Sequence, residues 1–252
     1  MAGDRVPEVP REPEAFAEIL ATAAPLLLVG GQAVNLWAMY YSERTADLAP
    51  FVSHDVDVLG DRRTLARIAS LAGCEPRFFP MRPPTNEVGV VMAKDAQGNT
   101  LPVEVLSHVH GIGNDELREW VYTVQIGDSG VSVQIPGPIS LLQAKVANVA
   151  DLSQGNRQDE RHVRILAALI PAYLVDLHST VEHRCLTEKR MLSALERLLA
   201  VVTSTSGKTV TDRLGIAPSA MFAELKASRE SKVYAFLTKR LPRMFPRGKH
   251  ES

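Results

Sequence analysis

Two aspartates, Asp55 and Asp57, stand two apart in "SHDVDVLG", within a segment otherwise apolar enough to be a buried strand. Side chains alternate across a strand, so the two carboxylates share a face while Val56 and Val58 point the other way. Carboxylates this close repel by roughly 1–4 kcal/mol, depending on how much water surrounds them. A divalent cation reverses that cost, because a hard ion such as Mg²⁺ prefers carboxylate oxygen and is bridged by it. A third acid follows in "TLPVEVL". There Leu101, Val103 and Val105 share one face, which leaves Glu104 on the other beside Pro102 and Leu106. If this segment neighbours the first, Asp55, Asp57 and Glu104 converge, the smallest set that supports two-metal phosphoryl transfer.

Upstream, "PLLLVGG" (25–31) is an apolar run ending in paired glycines, read as a buried strand meeting a tight turn. A helix starting there would present backbone N–H groups from Gly30 and Gly31 to a triphosphate, with its dipole assisting. Each feature alone is weak. A D-x-D pair is common, and any sharp strand-to-helix turn favours glycine. Their order carries more weight: apolar strand, Gly-Gly, helix, D-x-D strand, then one acid in a later strand.

The elements that must position these groups follow from periodicity. Helices are predicted over 12–24, 32–43 and 61–73, the last ended by Gly73. Strands are predicted at 25–31, 55–60, 76–79, 87–94 and 100–106, and a hairpin at 120–136 turning through Gly127–Gly130. After Pro136 strand patterns stop. Helices are predicted over 138–153, 158–170, 172–181 and 186–204, with two shorter ones in 217–240. The fold class expected is α/β (α+β): a mixed sheet with flanking helices, followed by a C-terminal helical bundle. The expected organisation is a flexible arm at 1–12, a sheet domain at 13–137, a helical domain at 138–240 and a basic disordered tail at 241–252.

Bulk properties exclude several classes. Of 252 residues 45% are hydrophobic and 23% charged, ordinary for a chain with a core. A net charge of −1 supplies no global field towards nucleic acid or anionic lipid, and argues against a large RNA partner. Cys74 and Cys185 lack metal-ligand spacing and read as free thiols. The polar, proline-rich start lacks the apolar core of a signal peptide. No apolar run approaches the ~20 residues that span a bilayer, so no membrane partner is expected and the cytoplasm is the expected location.

Taken together, "VGGQAVNLWAMYY", "SHDVDVLGD" and "LPVEVL" resemble the nucleotidyltransferase superfamily with the DNA-polymerase-beta-like palm, and within it bacterial proteins of the abortive-infection and MenA toxin type. The aminoglycoside and lincosamide nucleotidyltransferases are also similar around the Gly-Gly and D-x-D elements. The resemblance covers about residues 25–165. It implies a nucleoside triphosphate substrate, ATP among the candidates, and transfer of its monophosphate to an acceptor hydroxyl on RNA, protein or a small molecule. It implies two Mg²⁺ ions, shared by Asp55 and Asp57, with Glu104 holding the catalytic one, and Gly30-Gly31 under the phosphates. It also implies that Lys145, in "LLQAKVANVADLSQGNRQDERHV", reaches triphosphate or base and that Asp159 orients it. For the residues alone, an exposed lysine and an ordinary early-helix acid remain open. Two departures stand out: a long spacer, "TADLAPFVS", before Asp55, and Glu rather than Asp as third acid. Three alternatives stand beside it: a catalytically silent palm serving a toxin–antitoxin or other partner protein, a metal-dependent phosphohydrolase using the same acids, and a small regulatory domain whose basic tail contacts nucleic acid.

Other residues are read structurally. His54 points away from Asp55, and His108 and His110 lack further zinc ligands. Trp37 and Tyr40 are three apart on one helix and expected in the core. Arg44, His178 and His183 join no constellation.

Overall fold

The computed structural model describes residues 10–246 except 24, 81, 83, 84, 96 and 156. Of the expected arm and tail, residues 1–9 and 247–252 therefore lie outside the described residues. Two compact units divide between Ala144 and Lys145.

The first unit is built on a mixed seven-stranded sheet. A 3₁₀ turn at Pro13–Phe16 leads into α1 (Ala17–Thr22), then β1 (Leu27–Val29), α2 (Gly30–Tyr40) and a short α3 (Ser42–Thr45). A second 3₁₀ turn at Ala46–Leu48 precedes β2 (Val56–Leu59) and α4 (Arg62–Leu71). Then come β3 (Arg77–Phe78), β4 (Glu87–Lys94), β5 (Thr100–Leu106), α5 (Asn114–Glu119), β6 (Val121–Gln125) and β7 (Ser132–Pro136). Spatial order is β3-β4-β5-β2-β1-β7-β6. β2 runs parallel to β5 and β1 parallel to β7, while the other pairs are antiparallel. The mixed sheet with flanking helices is the expected class.

Alternation sorts the two faces of the sheet. Val56, Val58, Val103 and Val105 are fully buried on one face. On that side α4 turns Leu65, Ile68 and Ala69 inward. Asp61 starts α4 by accepting from the Thr64 N–H at 2.9 Å, and Gly73 in a left-handed conformation follows its end. On the opposite face Leu27, Val29, Leu59 and Leu106 meet Ile112, Leu117 and Ala144 in a second buried cluster. Helix α5, which supplies Leu117, occupies a stretch for which no element was predicted.

Trp37 behaves as predicted: it is buried, and its Nε1 donates to the Pro136 carbonyl at 2.8 Å. Trp120 closes the same end, its carbonyl accepting from Gly137 N at 2.8 Å. Tyr40 corrects the expectation. It is 69% exposed at the last residue of α2, edge-on to Trp37 and Tyr41 rather than in the core.

Helix α6 (Pro138–Asp151) carries the chain into the second unit, which continues through α7 (Asp159–Glu182), α8 (Glu188–Thr203) and α9 (Thr205–Leu214). A 3₁₀ turn at Pro218–Phe222, α10 (Lys232–Ala235), a π-helical turn at Phe236–Arg240 and α11 (Leu241–Met244) complete it. Two differences from the sequence reading have clear causes. Pro171 was expected to divide two helices, yet α7 runs through it. Proline removes one N–H and crowds the preceding turn, but Leu169, Ile170, Tyr173 and Leu174 on either side are buried and hold the helix together. Helix α9 was not predicted, because Val210 and Leu214 are its only large apolar residues. It is set by its ends: Ser204 accepts from Gly207 N at 2.9 Å, and Gly215 takes the left-handed cap.

The continuity of α7 also corrects the absence of a long apolar run. By length and composition this helix is able to cross a membrane, although ten of its residues are buried within the protein. Leu166→Ala, at a fully buried mid-helix position, is expected to cost about 2–5 kcal/mol, read as a lower denaturant midpoint with an unchanged slope.

Candidate metal centre

The site begins with backbone pairing. In the antiparallel β1–β2 pair Val29 lies opposite Asp57, and in the parallel β2–β5 pair Asp57 lies opposite Glu104. Partners in register project to the same face, so both carboxylates emerge together beside the end of β1. Asp55 lies just before β2, two residues from Asp57. The Ser53 hydroxyl donates to its Oδ1 at 3.1 Å. One carboxylate oxygen from each of Asp55, Asp57 and Glu104 lies within 4.8 Å of the others. All three residues are half-buried. Leu59 and Leu106, two residues on from Asp57 and Glu104, belong to the buried cluster on this face. The acids therefore stand where an apolar layer ends, with less water than a surface site offers.

Gly30 completes the corner. Its φ of +67° is left-handed, which glycine adopts without steric cost. A Cβ built on it would overlap Asp57 Oδ2. Glycine is therefore required twice, for the turn and for the approach of the carboxylate. Helix α2 starts at Gly30 itself, two residues earlier than its pattern suggested, so Gly30 and Gly31 both belong to its first turn. Val29 at the N-cap provides no side-chain hydrogen bond to that turn.

A chain of hydrogen bonds joins the body of α2 to Asp55. Asn35 Nδ2 donates to Gln32 Oε1 at 3.1 Å, and Gln32 Nε2 donates to the Arg11 carbonyl at 3.0 Å. Arg11 and Ser53 exchange backbone bonds of 2.8 and 2.9 Å, and Ser53 then holds Asp55. Gln32 and Asn35 are buried. The sequence reading missed this chain; its only signal was two amides inside the otherwise apolar "QAVNLWAM". The long spacer before Asp55 folds into the short turns of α3 and the following 3₁₀ segment. Thr45 anchors it by donating to the Ala38 carbonyl at 2.7 Å. His108 sits past the end of β5 against the Ser107 hydroxyl at 3.1 Å, and neither it nor His110 belongs to the acid group.

Lys145 and Asp159 meet inside the second unit. The ammonium lies 2.7 Å from Asp159 Oδ1, and both residues are buried, which sets aside an exposed lysine. Asn148 Nδ2 shares that oxygen at 3.2 Å, and Arg157 Nε donates to Oδ2 at 2.6 Å. Burial pushes the Asp159 pKa up, but the Lys145 charge and hydrogen bond, with Arg157, outweigh it and hold the carboxyl at about 2. His162 is 4% exposed, and neither ring nitrogen has a hydrogen-bond partner among the described residues. Burial, then the Lys145 charge, pushes its pKa well down, so it stays neutral. The structure thus brings Asp55, Asp57, Glu104 and Gly30 together in one unit, and Lys145 with Asp159 in the other.

No family model and no curated protein matches the chain. Among solved structures it is similar to an antigenic nucleotidyltransferase-like protein from Paracoccidioides brasiliensis. Identity is 15%, with a TM-score of 0.45, over 87% of this chain and 98% of that one.

Gly30→Ala must displace the Asp57 carboxylate, so any divalent-cation affinity of the triad is expected to fall at least tenfold in calorimetry, as displacing a group that orients a ligand commonly does (about 10–100-fold). Asp159→Asn leaves the buried Lys145 ammonium without its counter-charge and is expected to cost about 3–5 kcal/mol. The pH dependence has a definite sign. Because the folded Asp159 pKa is depressed, its contribution is complete above about pH 4 and is lost as pH falls towards 2. His162 resists protonation in the folded state, so acid already erodes stability below about pH 6.5. Denaturant midpoints across pH should show both declines, and Asp159→Asn should make only the lower one shallower, since Asp61 and Asp95, held down by their own hydrogen bonds, also contribute there.

Proposed function

We propose that the chain is a metal-dependent nucleotidyltransferase that moves a nucleoside monophosphate from a nucleoside triphosphate to an acceptor hydroxyl. The observation that supports this reading best is the convergence of Asp55, Asp57 and Glu104 oxygens within 4.8 Å of one another beside Gly30. Three hard oxygen donors from two paired strands fit Mg²⁺ in chemistry and in charge. In this reading Asp55, Asp57 and Glu104 would hold the ions, the two aspartates shared and Glu104 serving the catalytic one. Bound there, Mg²⁺ would neutralise charge on the transferring phosphoryl group and on the departing pyrophosphate.

The chain's own groups divide the remaining work. The first turn of α2 offers Gly30 and Gly31 N–H groups to phosphate oxygens. Ser53, held through Arg11 and Gln32, keeps Asp55 aimed at the site. As the acceptor oxygen bonds to the α-phosphorus, the bond from phosphorus to the pyrophosphate oxygen breaks. The acceptor proton leaves towards the Glu104 carboxylate. Lys145, aligned by Asp159, is assigned to the triphosphate or base on the family resemblance alone. The narrower likeness to abortive-infection and MenA-type toxins belongs to the same proposal.

The test uses α-labelled triphosphates with a cell lysate as the source of acceptor. Asp55→Ala and Asp57→Ala are each expected to reduce label transfer by at least about 10²–10³-fold. Their denaturation midpoints should be unchanged or higher, because each relieves repulsion between like charges. Transfer at the parental rate by both variants would sink the assignment. A parental chain that binds nucleotide with Mg²⁺ but labels nothing would point to the silent module.

A further inference from the structure

A second charged cleft lies in the first unit, lined by none of the three acids of the metal centre. Its volume is about 500 Å³, in the range that receives a small organic molecule. Arg11, Glu14 and Glu18, from the start of α1 and the residues before it, form one wall. Asp95, Gln97 and Asn99, in the turn between β4 and β5, form the other. This second wall is firmly built. Asp95 Oδ1 accepts from the Gln97 and Asn99 N–H groups at 3.0 and 2.8 Å, and Oδ2 accepts from Asn99 Nδ2 at 2.8 Å. The Asn99 amide, then the two backbone N–H groups and the Arg11 charge, hold the Asp95 carboxyl below its usual range, so it stays an anion.

The first wall is unfinished. Arg11 Nε and Glu14 Oε2 are buried atoms, yet neither has a hydrogen-bond partner among the described residues. The other Glu14 oxygen lies against Gly127, which is left-handed at φ +49°; a Cβ there would stand 2.7 Å from Glu14 Oε1. The room that Glu14 occupies therefore exists because position 127 has no side chain. Glu18, four residues on, adds an exposed acid to the same wall. A buried donor and a buried acceptor, both unpaired in one cleft, mark the place of a missing partner.

The charges describe that partner. One cation and three acids leave the lining at −2, which favours an occupant of net positive charge. A single metal ion does not fit, because among the described residues only Asp55, Asp57 and Glu104 bring three ligand oxygens within 4.8 Å of one another. The positive charge must instead be spread over a molecule. A polyamine would spread it, but would leave the Arg11 guanidinium repelled and still unpaired. A carboxylate suits that guanidinium, whose planar fork matches its two oxygens.

We propose that this cleft binds a basic α-amino acid, with its carboxylate on Arg11, its α-ammonium on Glu14 and Glu18, and its side-chain cation towards Asp95. Occupancy also bears on the metal centre. The Arg11 backbone exchanges bonds of 2.8 and 2.9 Å with Ser53, whose hydroxyl donates to Asp55 Oδ1 at 3.1 Å. Clamping Arg11 therefore steadies Ser53 and, one bond further, Asp55. The site goes beyond the transfer reading and stands whether or not that reading holds.

Calorimetry on the full chain at physiological salt compares L-arginine with relatives that each lack one charge. Agmatine has no carboxylate, norvaline no side-chain cation, and N-acetyl-L-arginine no α-ammonium. L-Arginine is expected to bind at one site per chain, and each relative at least about tenfold more weakly, as loss of a charged hydrogen bond commonly costs. Glu14→Gln should keep the denaturant midpoint at or above the parental one and weaken L-arginine by a similar factor. Arg11→Gln should weaken L-arginine while binding agmatine no worse than the parent does, a split that a damaged cleft would not give. With L-arginine at ten times its Kd, exchange of the Ser53 amide, which donates to the Arg11 carbonyl, should slow by up to about tenfold. Absent binding, agmatine or putrescine bound as tightly as L-arginine, agmatine weakened equally by Arg11→Gln, or Ser53 exchange indifferent to bound L-arginine each overturns the proposal.

Discussion

The parallel pairing of β2 with β5 is the constraint on which the rest of the first unit turns. It sets Asp57 against Glu104, a juxtaposition that electrostatics alone would reject. Mutual repulsion of the carboxylates is worth roughly 1–4 kcal/mol per pair. Against it stand Val56, Val58, Val103 and Val105, fully buried on the opposite face of the same two strands. Each such burial is worth about 1.5–3 kcal/mol, so together they exceed the repulsion. A slip of one residue would turn these valines towards the acid face and the acids into the core. The apolar side of the sheet thus dictates the register, and the polar side has to live with it.

Glycine at position 30 is the other half of that arrangement. Asp57 lies so close to the start of α2 that no side chain fits between them. The helix start and the acid pair are therefore one piece of geometry, and not two motifs that happen to be neighbours. Distant support completes it, since Asp55 is aimed by a serine that is itself tied through Arg11 to two amides buried in α2.

Much of this was legible beforehand because strands write their faces into alternate residues. "VDVL" and "TLPVEVL" announce which side each acid takes. They do not announce that the two strands are neighbours, which depends on a sheet order assembled from segments far apart in the chain. The Gln32–Arg11–Ser53 relay was invisible for a related reason: it passes through backbone groups, which look alike in every residue. Pro171 misled because a local penalty was read as decisive where burial on both sides outweighed it. Tyr40 misled in the opposite direction, being spaced as a core residue but placed where the helix runs out of protein to cover it. The Lys145–Asp159 pair shows a third limit. Thirteen residues, a loop among them, lie between the partners, and only their common burial makes each intelligible.

The two tryptophans have a practical consequence. Trp37 and Trp120 are the chain's complement of that residue, and both lie in the sheet-bearing unit, buried at the Pro136–Gly137 end of β7. The unit that follows Ala144 has none. Indole emission thus watches one half of the molecule, while far-ultraviolet dichroism is weighted towards the helices of the other. A single sample carries two independent optical clocks, and whether they tick together during unfolding reveals how tightly the halves share their fate.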